Sequence, residues 1–201
     1  MDVIAAYVVP ASQEKTLPYQ NVYRWFGPDG AVHQEYWKHH PAPGEPIVAG
    51  HGPLGAVDAS FGRGSGAICY DYDYPAMALE HARLGVDIVG LPSSDWRGID
   101  PLHAQMASLG AIAGGFSLVR STRSGLSAII DPHGRTRGWH SSFEGGAPIL
   151  IAEVPRHHLN TVYASVGDVL VYMCMALLIA LVGWGSISPK WRGEKRRSDL
   201  R

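Results

Sequence analysis

Cys69 closes the apolar run Ala67-Ile68 and is followed at once by Tyr70-Asp71-Tyr72-Asp73-Tyr74-Pro75. A strand that turns directly into a helix exposes the side chain at its tip. It also aims backbone N–H groups at a developing oxyanion, which is what a thiol nucleophile requires. A structural cysteine packed as a small hydrophobe fits the same local pattern, and both readings stay open on these residues alone. Lys38, in Tyr36-Trp37-Lys38-His39-His40, follows a strand and precedes a rigid loop. A lysine beside a thiol lowers its pKa and steadies charge on an acyl intermediate; away from one it is an ordinary surface cation. Glu45, in Pro43-Gly44-Glu45-Pro46, is a carboxylate on a proline-fixed loop, or simply a solvated one.

Other groups carry less. His39-His40 and His157-His158 are adjacent pairs, and neighbours on a strand point to opposite faces, so neither pair chelates a metal. The chain has no H-E-x-x-H or C-x-x-C spacing, and no metal or cofactor is expected. Gly62 to Gly66 (GRGSG) lacks the Lys-Ser/Thr of a phosphate loop. Ser65 and Ser127 stand in no triad pattern. Trp96, in Ser94-Asp95-Trp96, either lines a pocket or packs at a strand end, and packing is the simpler reading.

The elements that must hold these groups can be read in order. Asp2 to Val9 is an apolar, β-branched run that predicts a buried strand. Asn21 to Phe26 and Ala31 to Tyr36 flank Gly27-Pro28-Asp29-Gly30, a hairpin turn. Pro41 to Pro46 is a loop, and Gly62 to Gly66 a flexible lead into residues 67–70. Pro75 to Leu84 predicts a helix stopped by Gly85, and Val86 to Leu91 a strand. Asp100 is the expected N-cap of a helix ending at Gly114-Gly115. Phe116 to Ser121, Ser127 to Ile130 and Ile149 to Val154 are further strands, with a turn at Asp131-Pro132-His133-Gly134. Strands alternate with helices in the middle and pair as hairpins at the ends, which predicts an α/β fold with a mixed sheet.

The chain has 201 residues, only 17% of them charged, and a net charge of -1, which excludes a generally basic nucleic-acid binder. Two cysteines exclude a disulfide-rich scaffold. Met1-Asp2-Val3 does not begin a secretory signal. Val169 to Ile187 contains no charged residue and would extend about 28 Å as a helix, which predicts a membrane span. Lys190, Arg192, Lys195, Arg196, Arg197 and Arg201 follow it, so the tail is expected in the cytoplasm and the preceding domain on the opposite face. The expected organisation is a domain over 1–160, a membrane approach and helix over 161–188, and a basic tail over 189–201.

Taken together, these residues resemble the carbon–nitrogen hydrolase (nitrilase) superfamily. Within it they are most similar to the membrane branch, the apolipoprotein N-acyltransferases. The resemblance rests on the hairpin ending in Tyr36-x-Lys38-x-His40 before Pro43-Gly44-Glu45, on Ile68-Cys69-Tyr70-Asp71, and on Pro92-Ser93-x-Asp95-Trp96 followed by His103-x-x-Met106-Ala107. It continues through Leu118 to Ser127, closed by Asp131-Pro132-x-Gly134, and through residues 161–168 leading to the apolar helix. It implies an αββα sandwich, here a partial one followed by one transmembrane helix. It implies Cys69 as nucleophile, Lys38 as the catalytic lysine, Glu45 as an assisting glutamate and the Tyr70 amide as an oxyanion donor. Asp71 stands where the branch has glutamate, and Trp96 matches a pocket-side tryptophan.

The general-base glutamate that the resemblance implies lies upstream of the hairpin, and the chain is expected to begin after it. Glu14 and Glu35 stand in no matching context, and Gly110 to Ala113 departs from the family's Arg-Ala-x-Glu. The function implied is acyl transfer from a phospholipid, through a cysteine thioester, to the N-terminal amine of a lipoprotein at a bacterial inner membrane. The alternatives are a membrane-anchored amidase, and an inactive nitrilase-like chain that partners a second chain or an upstream segment.

Overall fold

A computed structural model describes residues 1–11, 18–146 and 149–187. Glu14 and the basic tail lie outside the described residues. The chain divides into two units, Met1–Ser165 and Val166–Arg201.

The first unit is built on two sheets. Strands β1 (Val3–Pro10), β2 (Tyr19–Phe26) and β3 (Val32–Trp37) form an antiparallel sheet in that order. Strands β4 (Val57–Ala59), β5 (Gly62–Gly66), β6 (Ile88–Ser93), β7 (Ser117–Thr122), β8 (Leu126–Ile130) and β9 (Thr136–Ser141) form a second, mixed sheet in sequence order. Only β5–β6 and β6–β7 run parallel. Parallel neighbours need a helical crossover, and α1 (Pro75–Arg83) and α2 (Leu102–Gly114) supply them.

Glycines let the sheets meet. A Cβ at Gly64 would stand 2.1 Å from the Trp25 ring of β2, and one at Gly66 would stand 3.0 Å from the Tyr23 ring of the same strand. Tyr23 crosses the interface and donates its hydroxyl to the Gly66 carbonyl at 3.2 Å. On the helical side, Val89 and Leu118 join Ala107 and Ala111 of α2 and Phe116 in one buried core. The result is an α/β fold with a mixed sheet, as expected.

Several local expectations change. Gly62–Gly66 is itself a strand, and Cys69 does not end one: it opens a 3-10 turn, Cys69–Asp73. Glycine's low strand propensity is overridden because only residues without bulk fit beneath Trp25 and Tyr23. Asp100 does not cap α2; its side chain accepts from the Leu126 amide instead, and Pro101 occupies the cap position. Residues 149–154 form no strand, while β4 and β9, absent from the sequence reading, complete the second sheet. The N-terminal strand is an edge with Val3 and Val8 exposed, rather than a buried one.

In the second unit, α3 (Val169–Ile187) carries no charged residue, and its side chains from Val169 to Gly185 are exposed. Among the described residues no helix is long and apolar enough to cross a membrane, so the expected transmembrane helix is not established by the fold.

Candidate active site

The turn that carries Cys69 is held by one buried carboxylate. Asp71 accepts hydrogen bonds from the Ile68 amide at 2.9 Å, the Tyr36 hydroxyl at 2.9 Å and the His40 amide at 2.8 Å. The His40 ring stacks on Tyr74 with centroids 3.8 Å apart, closing the far end of the turn. Cys69 sits in the left-handed region at φ 52°, an uncommon conformation for a residue with a Cβ. Such strain persists where surroundings over-determine the backbone, and Asp71 supplies that constraint here.

Lys38 follows β3 and is 2% exposed, which settles it as a buried cation rather than a surface one. Its Nζ donates to Glu45 Oε2 at 2.5 Å. Glu45 also accepts from the Ala42 amide at 2.9 Å and from Asn21 Nδ2 at 3.2 Å. Burial pushes the Glu45 carboxyl up, but the hydrogen bonds and charge of Lys38, with the Ala42 and Asn21 donors, outweigh it and leave the group below its ordinary value. A buried lysine therefore has its charge balanced by a loop carboxylate.

These groups line a single cavity of about 1090 Å³. Lys38, Glu45, Cys69, Tyr70 and Trp96 all face it. Ile4, Phe61, Ile88, Leu91 and Val119 give it an apolar wall. Trp96 is 59% exposed, so it stands at the cavity and does not pack at a strand end. Asp71, grouped with the pocket residues from the sequence, is fully buried and braces the turn from behind.

Burial pushes the Cys69 thiol up; Lys38 and Arg120 pull it down and Asp95 adds to the rise, leaving it above its ordinary value. The sulfur donates to the Ser94 carbonyl at 3.7 Å.

Behind the sulfur lies a cluster that sequence reasoning missed. Arg120 of β7 donates to Asp95 Oδ2 at 2.6 Å, and His103 Nδ1 meets Asp95 Oδ1 at 2.7 Å. The other His103 nitrogen, Nε2, lies 2.8 Å from Asp73 Oδ1. Arg120, Asp95 and His103 each fall inside a segment that carried the resemblance, and no spacing rule ties them together. Cys69, Asp95 and His103 bring one ligand atom each within 4.8 Å of one another, a donor set of the kind zinc takes. Both Asp95 oxygens are already engaged, one by a guanidinium whose charge opposes a dication, so the residues fit an ion pair network better than a metal.

The carbon-nitrogen hydrolase family model matches residues 1–163. The chain belongs to the carbon-nitrogen hydrolase family. Among relatives of this carbon-nitrogen hydrolase, an apolipoprotein N-acyltransferase of Shewanella oneidensis is 35% identical over 118 residues, 56% of this chain and 22% of that protein. A Bradyrhizobium diazoefficiens protein of the same name is 40% identical over 118 residues, 57% of this chain and 21% of that protein. The match thus spans about a fifth of those relatives' length. In structure, the carbon-nitrogen hydrolase is similar to an amidase from Nesterenkonia sp., with a TM-score of 0.63 at 18% identity, over 70% of this chain and 57% of the amidase. That likeness concerns the fold.

Proposed function

We propose that this carbon-nitrogen hydrolase chain carries the thiol site of an N-acyltransferase acting at a lipid surface. The single observation that carries the reading is Cys69, held at positive φ on the floor of an apolar cavity that Lys38 also enters. In this reading the Cys69 thiolate attacks the carbonyl carbon of a phospholipid ester. The carbon–oxygen bond breaks, the lysophospholipid alcohol leaves with a proton, and a thioester remains on sulfur. A free amine, that of a lipoprotein's N-terminal residue, then attacks the thioester. The carbon–sulfur bond breaks, an amide forms, and the proton of the amine returns to the thiol through a base. Lys38 and the Tyr70 amide, near the start of the 3-10 turn, steady both tetrahedral oxyanions. Glu45, hydrogen-bonded to Nζ, keeps Lys38 aimed. Trp96 forms part of the cavity mouth that the acyl chain passes.

The general-base carboxylate has no counterpart among the described residues. Glu35 is exposed and bonded to Arg24 and Trp37, so the reading assigns the base to an upstream segment or a second chain. The uncharged, exposed surface of α3 supports seating in a bilayer. The matching location is a bacterial cell membrane with the domain on the extracytoplasmic face. Hydrolysis of a small amide is the second reading, since water can attack the same thioester. The test supplies a phospholipid together with a diacylglyceryl peptide bearing a free N-terminal amine. Acylated peptide supports transfer; release of free fatty acid alone, or turnover of soluble amides alone, supports the hydrolase.

A further inference from the structure

The cavity explains Lys38, Glu45 and Cys69 but leaves His103 without a role. Its ring lies between two segments that the nucleophile depends on. Nε2 is 2.8 Å from Asp73 Oδ1, on the 3-10 turn that Cys69 opens. Nδ1 is 2.7 Å from Asp95 Oδ1, next in sequence to Ser94, whose carbonyl accepts from the Cys69 sulfur. Arg120, 2% exposed, takes the other Asp95 oxygen at 2.6 Å and also bonds Thr122 and the Leu126 carbonyl. The loop after β6 is therefore anchored to the sheet by Arg120 and to α2 by His103, whose ring also lies against Asp73 of the nucleophile turn.

We infer that His103 is a positioning residue, holding the Ser94–Asp95 loop beside the Cys69 turn through its hydrogen bond to Asp95, with the opposite edge of its ring against Asp73. The inference rests on Cys69 being the nucleophile. Truncation of His103 leaves Asp95 with Arg120 as its one remaining partner in the cluster and removes the ring that lies against Asp73. The charged groups that act on the sulfur are Lys38 from the end of β3, Asp95 from the loop after β6 and Arg120 from β7. His103 from α2 lies within the same 4.8 Å cluster, and Glu45 is bonded to Lys38. Of these, Asp95 is the charge that His103 holds in place, so its release disfavours the thiolate.

The test is the pH profile of iodoacetamide alkylation at Cys69 in the full chain, read by peptide mass spectrometry, with an added cysteine-containing peptide as reference. His103→Ala is expected to move the Cys69 midpoint up by about one pH unit, a shift of the size a neighbouring charge produces. His103→Ala is expected to shift the midpoint much less when Asp95→Asn is already present than in the wild type, a non-additivity that an effect of His103 independent of Asp95 would not give. Should His103→Ala fail to fold, His103→Gln, which reaches one carboxylate at a time, is expected to give a smaller upward shift. A Cys69 midpoint unmoved in whichever variant folds overturns the inference while leaving the nucleophile reading intact. A wild-type Cys69 that never reacts, at a pH where the reference peptide does, overturns the nucleophile reading itself.

Discussion

Lys38 Nζ and Glu45 Oε2, seven residues apart in the chain, meet at 2.5 Å beside the Cys69 cavity. The pairing keeps a cation inside the domain and turns it toward the sulfur. Replacing Lys38 with Met removes the charge that favours the thiolate and leaves Glu45 with its Ala42 and Asn21 donors. Cys69 alkylation in Lys38→Met is expected to need a higher pH than in the wild type, by about one unit. A profile superimposable on the wild type would show that the amine does not act on the thiol.

Asp71 satisfies three donors from three segments: Ile68 of its own turn, Tyr36 of β3 and His40 after it. Removing a buried acceptor strands each donor at roughly 1–3 kcal/mol. Asp71→Ala is expected to lower stability by about 3 kcal/mol or more, measured by urea unfolding of the first unit's tryptophan signal. A loss below about 1 kcal/mol would mean that the turn is held by other contacts.

The close approach of the two sheets makes its own prediction. Gly64→Ala places a methyl group against the Trp25 ring, which Phe61 stacks on at 6.1 Å between centroids. The ring must shift, and overpacking of this kind costs about 1–3 kcal/mol. A thermal midpoint equal to the wild type would contradict the packing described.

How much of this was legible in the sequence depends on what decided each element. The hairpin around Gly27–Gly30, α1 and α2 were readable because proline and glycine punctuate them. The strand Gly62–Gly66 was not, since its residues are chosen by the sheet opposite and carry no strand propensity of their own. Cys69, Lys38 and Glu45 could be singled out by type and loop context. That Lys38 is buried, and that Asp71 faces away from the cavity, depends on which side of the turn each side chain leaves, and a one-residue spacing does not reveal it. The Asp95–His103–Arg120 cluster joins three elements separated by crossovers, so only the folded sheet assembles it.

His81 is fully buried between the Tyr72 hydroxyl at 2.8 Å and Ser65 Oγ at 3.1 Å. Burial pushes it down from 6.5 to about 3. Below pH about 6.5 the unfolded chain takes up a proton that the folded one refuses, so stability is full above that pH and falls as pH drops toward about 3. The thermal midpoint is expected to decline between pH 7 and 5, before the buried carboxylates begin to titrate. A flat midpoint across that interval would place a charged imidazole in the core.

The role of Cys69 as acyl carrier is tested most directly by intact mass after incubation with a phospholipid of defined acyl chain, using full chain in mixed micelles supplemented with any upstream segment. An increment equal to one acyl group, removed by hydroxylamine as thioesters are and absent from Cys69→Ala, is the expected result. An increment that survives in Cys69→Ala, or a phospholipid consumed with no adduct on sulfur at any time, would contradict it.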